Sequence, residues 1–248
     1  MSNPILKEEV FSKNLNLNSL ELGHVMTSSG TLLKTCILGI LLALTFSYTW
    51  YLQLSGFYDK AGLLATVGFI GSFIMVLIIS FAPKNNFLSL TTSLYAMFEG
   101  LLLGSFSAIA NKFYPGIVPQ AVLGTIFAVF GMFLLYSSKI LRCTDTFRKV
   151  IYISTFSVFG IYLTQIILNF FHITIPGIFS NGPIGIGFSV IVVAIAAFNL
   201  IIDFEFIDRF SGRAPKYFEW FGGFSLMVTI VWLYIEILNL LMKLNSRR

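Results

Sequence analysis

Charge is scarce in this chain: 11% of its 248 residues are Asp, Glu, Lys or Arg against 56% hydrophobic, with a mean hydropathy of +0.86. That balance lies far from the soluble norm and makes lipid the expected solvent. Cysteine and histidine are scarcer still. Cys36 and Cys143 form no CxxC pair, and His24 and His172 are the two histidines, so a Cys/His metal centre or a disulfide framework has almost no ligands. Free thiols are expected. The net charge of +5 does not point to nucleic acid, because the basic residues are scattered over short connectors without interleaved aromatics. Catalytic motifs are missing as well. There is no HExxH and no GxSxG, the last apolar run has only the late Lys243 where a retinal protein needs a mid-helix lysine, and Asp203 is the one Asp inside an apolar run where an intramembrane aspartyl protease needs two. The chain is expected to be neither an enzyme nor a cofactor protein.

What is present is a series of long apolar runs. A helix crosses a bilayer in roughly 20 apolar residues, and seven runs of that length are read at 32–54, 61–82, 87–110, 116–137, 150–171, 183–204 and 218–242. Pro83, Pro115, Pro119, Pro176, Pro183 and Pro215 stand in connectors or at run edges, as the missing N–H and fixed φ of proline require. The expected fold class is therefore an all-α integral membrane protein of seven transmembrane helices, with a tail at 1–31, a helical domain at 32–242 and a short tail at 243–248. Placing the N-terminus inside puts 11 of the 16 basic residues on the cytoplasmic side. Lys243, Arg247 and Arg248 count against that orientation. The first 30 residues, mixed in charge, lack the basic-then-apolar pattern of a cleavable signal and are expected to persist as a cytoplasmic tail.

Ionisable groups inside a membrane are costly and so mark functional candidates. Glu99 lies about halfway along the third run, Asp203 towards the end of the sixth, Glu219 at the start of the seventh and Glu236 well along it. A carboxylate near a helix C-terminus opposes the helix dipole, so stability does not explain Asp203 there. Asn199, four residues earlier, shares its face. On the seventh run Gly222, Ser225, Thr229, Trp232, Glu236, Asn239 and Lys243 recur every three or four residues and form one polar stripe, which either lines a pathway or builds a ladder of interhelical hydrogen bonds. Such a stripe belongs inside the protein. On the third run Ser93, Ala96, Gly100, Gly104 and Ser107 make a small-residue face, read as packing and not as a dimerisation site. A cluster of Asp203 with a Glu is expected to share a proton near neutral pH, and its oxygen ligands suit a hard cation.

The segments SNPIL, MTSSGTLLKT, LYAMFEGLLLGSFS, FRKVIYISTFSVFGIYL, NGPIGIGFSVIVVAIAAFNLIIDFEFID and APKYFEWFGGFSLMVTIVWLYIEILNLL, in this order and spacing, resemble the bacterial branch of the Bax inhibitor-1 (YccA-like) family, within the transmembrane Bax inhibitor motif superfamily. The resemblance runs nearly end to end. It implies a seven-helix fold with the last helix in the middle, a bacterial inner-membrane location, and a pH-sensitive leak for Ca2+ as transported ion. In that family an aspartate at the end of the sixth helix shares a proton with one in the seventh. Asp203 matches the first. For the second, Glu236, Thr229 and the neighbourhood of Glu219 each fit one way of matching the seventh helix. The gating candidates are thus Asp203, Glu236, Glu219 and Glu99, with Asn199, Ser225, Thr229 and Asn239 lining a pathway and Asp203, Glu236 and Glu99 as a Ca2+ ligand set. The alternative is a non-conducting membrane protein that modulates membrane proteases or other partners.

Overall fold

The computed structural model describes residues 25–81, 87–171, 175 and 177–246. Most of the N-terminal tail, Pro83, Pro176, both histidines, Arg247 and Arg248 lie outside the described residues. Among the described residues there are seven helices, each long and apolar enough to cross a membrane: α1 (Ser28–Leu54), α2 (Tyr58–Phe81), α3 (Leu88–Phe113), α4 (Ile117–Ser137), α5 (Asp145–Asn169), α6 (Pro183–Phe210) and α7 (Phe218–Asn245). An isolated antiparallel bridge, Val25 with Pro215, is the β structure among those residues.

Local chemistry sets the boundaries. Thr27 caps α1 by accepting from the Gly30 amide at 3.0 Å, and Thr144 caps α5 by accepting from the Phe147 amide at 3.2 Å. Both helices consequently begin four or five residues before the apolar runs do. Pro119 sits in the first turn of α4 and Pro183 opens α6, positions where an N–H would have no helical partner. At the end of α1, Gly56 takes φ +83°, a left-handed conformation that glycine adopts without strain.

The far ends differ from expectation. α6 runs to Phe210, so Asp203 lies two turns inside the helix, where the terminal dipole has little effect. α7 runs to Asn245 and takes Lys243 out of the expected tail, because the lysine ammonium finds oxygen partners along the way. Burial separates the helices as well: α3 and α7 bury 56% of their most apolar stretches, whereas α1 buries 11%. Large apolar side chains stand exposed on the others, such as Phe69 and Phe73 on α2, Phe127 and Phe130 on α4, and Phe156 and Phe159 on α5. Lipid is the solvent for those faces.

The chain divides into two compact units. The first contains α1 to α3, the end of α6 from Glu205 and the start of α7 to Val228. Here α3 packs against both α1 and α2. Its glycines permit this: a Cβ on Gly100 would strike the Thr45 hydroxyl and the Leu42 carbonyl, and one on Gly104 the Thr49 hydroxyl and the Phe46 carbonyl. The GxxxG pair therefore seats α3 on α1 within one molecule. On its other side, Ser105 donates to the Ala61 carbonyl at 3.1 Å. The second unit contains α4, α5, α6 up to Phe204 and α7 from Thr229.

Candidate functional site

The polar groups of the second unit follow α7. Thr229, 5% exposed, donates its hydroxyl to Asp203 Oδ2 at 2.5 Å, and Asp203 itself is 2% exposed. Of the three expected positions for its partner, the structure brings Thr229 to Asp203. The neighbourhood of Glu219 would stand level with Asp203 only if the chain turned near residue 212. In fact seven helical residues follow Asp203 and residues 211–217 make the turn, so α7 regains that level more than a turn later.

Glu236 lies seven residues beyond Thr229, about 10 Å along the helix axis and on the same face. It is not brought to Asp203. Its Oε1 accepts from the Tyr162 hydroxyl at 2.9 Å and from Trp232 Nε1 at 3.1 Å, and its Oε2 accepts from Tyr162 at 2.9 Å. With 2% of its surface exposed, Glu236 is as buried as Asp203. The Tyr162 ring in turn packs against Phe179 and Phe188 at 5.9 and 6.3 Å between centroids.

Asn199 shares the face of Asp203 but is turned to another task. Its amide donates to Thr155 Oγ1 on α5 and to the Ile195 carbonyl, both at 2.8 Å. It is an interhelical tie. Asn239 is half-buried in the second unit.

Two of the expected gating acids belong to the first unit, as does Ser225, which is 1% exposed. Glu99 faces α2, where its carboxylate is hydrogen-bonded to Ser72. Glu219, in the first turn of α7, accepts from the Thr27 amide at 3.2 Å and from the Thr27 hydroxyl at 2.9 Å. A carboxylate suits the positive end of a helix. The same corner is fastened by Met26 N–H to the Ala214 carbonyl, Gly212 N–H to the Met26 carbonyl, and the Ser28 hydroxyl to Asp208. Glu219 thus pins the entry of α1.

Each carboxylate has its own hydroxyl partner. Among the described residues no three His, Cys, Asp or Glu side chains gather into a group able to hold a metal ion; Asp203 and Glu236 belong to the second unit and Glu99 to the first. Nor, among those residues, is any buried side-chain nitrogen or oxygen left without a hydrogen bond. Thr27, Ser72, Thr155 and Tyr162 complete these pairs, and none of the four stands among the expected site residues. Tyr162 carried a signal, a phenol in the middle of an apolar run, whose hydroxyl needs a partner in lipid.

Seven apolar helices with hydrogen-bonded carboxylates buried among them define an integral membrane protein. The family model described as Bax inhibitor 1 like matches residues 3–246, and the chain belongs to that family. No curated protein and no solved structure matches it.

Proposed function

We propose that the protein is a cation leak channel, with Ca2+ as the transported ion, and that gain or loss of a proton on Asp203 switches conduction. The observation that carries this is the Asp203–Thr229 pair: a carboxylate 2% exposed, in a helix able to span the membrane, held by a hydroxyl at 2.5 Å. Membership of the Bax inhibitor family supports the same reading. An ionised Asp203 only accepts hydrogen bonds, while a protonated one also donates. Protonation therefore changes what Asp203 can hold and gives the two helices two arrangements.

A threonine partner alters the switch. Two facing carboxyls share a proton and titrate as a coupled pair, in two steps. A hydroxyl does not titrate in that range, so Thr229 adds no second titrating carboxyl to this contact. Purified protein in liposomes loaded with a Ca2+ dye tests this. Flux is expected to vary with pH, Asp203→Asn to flatten the curve, and Thr229→Asp, which puts a second titrating carboxyl beside Asp203, to broaden it. Absence of flux at every pH, or an Asn variant identical to the parent, removes the proposal.

The membrane is a bacterial inner membrane in this reading, with the N-terminus cytoplasmic. A second reading, a non-conducting partner of membrane proteases or other membrane proteins, is favoured by the complete hydrogen bonding of the buried polar groups among the described residues. Crosslinking in native membranes separates the two. A stoichiometric protein partner together with silent liposomes selects the second.

A further inference from the structure

Lys243 lies in the last turn of α7, two turns beyond Glu236 on the same stripe. Its ammonium donates to the Ile178 carbonyl at 3.3 Å, the Gly185 carbonyl at 3.0 Å and Ser189 Oγ at 2.9 Å. The three donors of the ammonium thus meet three oxygens. Ser189 is 3% exposed, and Lys243 itself is half-buried.

More oxygens crowd the same place. A Cβ on Gly185 would lie 3.0 Å from the carbonyl oxygens of Gly177 and Ile178 and would strike that of Ser180. Glycine is what lets these carbonyls converge on the start of α6. The wall that receives Lys243 is therefore made of neutral oxygens, mostly backbone carbonyls. Rings of backbone carbonyls replace the hydration shell of small monovalent cations, and a primary ammonium is one of these.

We propose that the cradle of Ile178 O, Gly185 O and Ser189 Oγ is a binding site for small monovalent cations, and that Lys243 occupies it as a tethered stopper. The C-terminal end of α7 brings partial negative charge to this place and the N-terminal end of α6 partial positive charge, so it is the converging carbonyl and hydroxyl oxygens that hold the cation. On the channel reading, the same ammonium is a fixed positive charge on the polar stripe, and it restrains cation leak. That consequence rests on the proposed function; the site itself does not.

Lys243→Ala removes three methylenes and the ammonium, which n-propylammonium matches in shape and charge. In detergent, the variant is expected to melt at least about 3 °C below the parent. Tens of millimolar n-propylammonium or K+ should recover at least half of the loss, while tetramethylammonium, which has no N–H and is bulky, and neutral n-propanol should not. The parent protein should respond to none of them. A variant indifferent to both cations, or restored equally by n-propanol or tetramethylammonium, overturns the site. If Lys243→Ala does not fold, Ser189→Ala serves: loss of one acceptor should speed reductive methylation of Lys243, followed by mass spectrometry, several-fold. Equal rates overturn the site as well.

The liposome assay separates this proposal from the channel reading. Lys243→Ala is expected to raise Ca2+ leak several-fold. Cation rescue with silent liposomes keeps the site and removes the channel. A leak untouched by Lys243→Ala, without rescue, keeps the channel and removes the site.

Discussion

Thr27 shows how much one residue does at the entry of α1. Its hydroxyl accepts from the Gly30 amide and donates to Glu219, and its amide donates to the same carboxylate. Losing a helix cap costs about 1 kcal/mol, and a hydrogen bond to a charged group contributes about 1.5–3 kcal/mol. Thr27→Ala should therefore destabilise the protein by about 2 kcal/mol or more, and Thr27→Ser by far less, measured as unfolding midpoints in detergent. A Thr27→Ala variant that melts with the parent would show that Glu219 does not pin this corner. Gly30 is constrained by the same carboxylate, since a Cβ there would run into it. Thr27 was legible as part of a family segment, but its bond to Glu219 was not, because 192 residues separate the two in sequence.

At the scale of the helix, glycines with the same intrinsic propensity have opposite roles. Gly104 on α3 faces the backbone of α1, whereas nothing lies within 4 Å of a Cβ added to Gly131 on α4. Glycine in an open helix position costs about 0.5–1 kcal/mol relative to alanine. Gly131→Ala should raise the melting midpoint in detergent, and Gly104→Ala should lower it through the clash with Thr49 and Phe46, a cost of about 1–3 kcal/mol for overpacking. Equal effects of the two substitutions would mean that α3 and α1 do not approach as closely as the geometry requires. The helices themselves were almost fully legible, because hydropathy and proline placement act locally. Their ends were less so: α6 and α7 overran the apolar runs by six and three residues, Phe210 against 204 and Asn245 against 242.

For the molecule as a whole, the two cysteines report on topology. Neither is in a disulfide: Cys36 is exposed on α1 and Cys143 half-buried in the connector between α4 and α5. With the N-terminus inside, that connector and its neighbours Lys139, Arg142, Arg148 and Lys149 face the cytoplasm. A membrane-impermeant maleimide is expected to label Cys143 in inverted vesicles and not in intact cells. Cys36 should escape labelling in both, because the exposed face of α1 meets lipid, which a charged, membrane-impermeant reagent does not enter. Labelling of Cys143 in intact cells would reverse the orientation.

The sequence by itself determined the solvent, the seven spans and the small set of buried acids, because apolar length, proline and the cost of charge in lipid act at each position whatever lies across from it. It also marked Asp203 and the polar stripe of α7. Only the tertiary structure decided the partners: Thr229 for Asp203, Tyr162 and Trp232 for Glu236, Thr27 for Glu219, and a cradle of carbonyls for Lys243. Partnership depends on the register between helices, and a turn longer or shorter by a few residues moves every contact along α7 by a full turn.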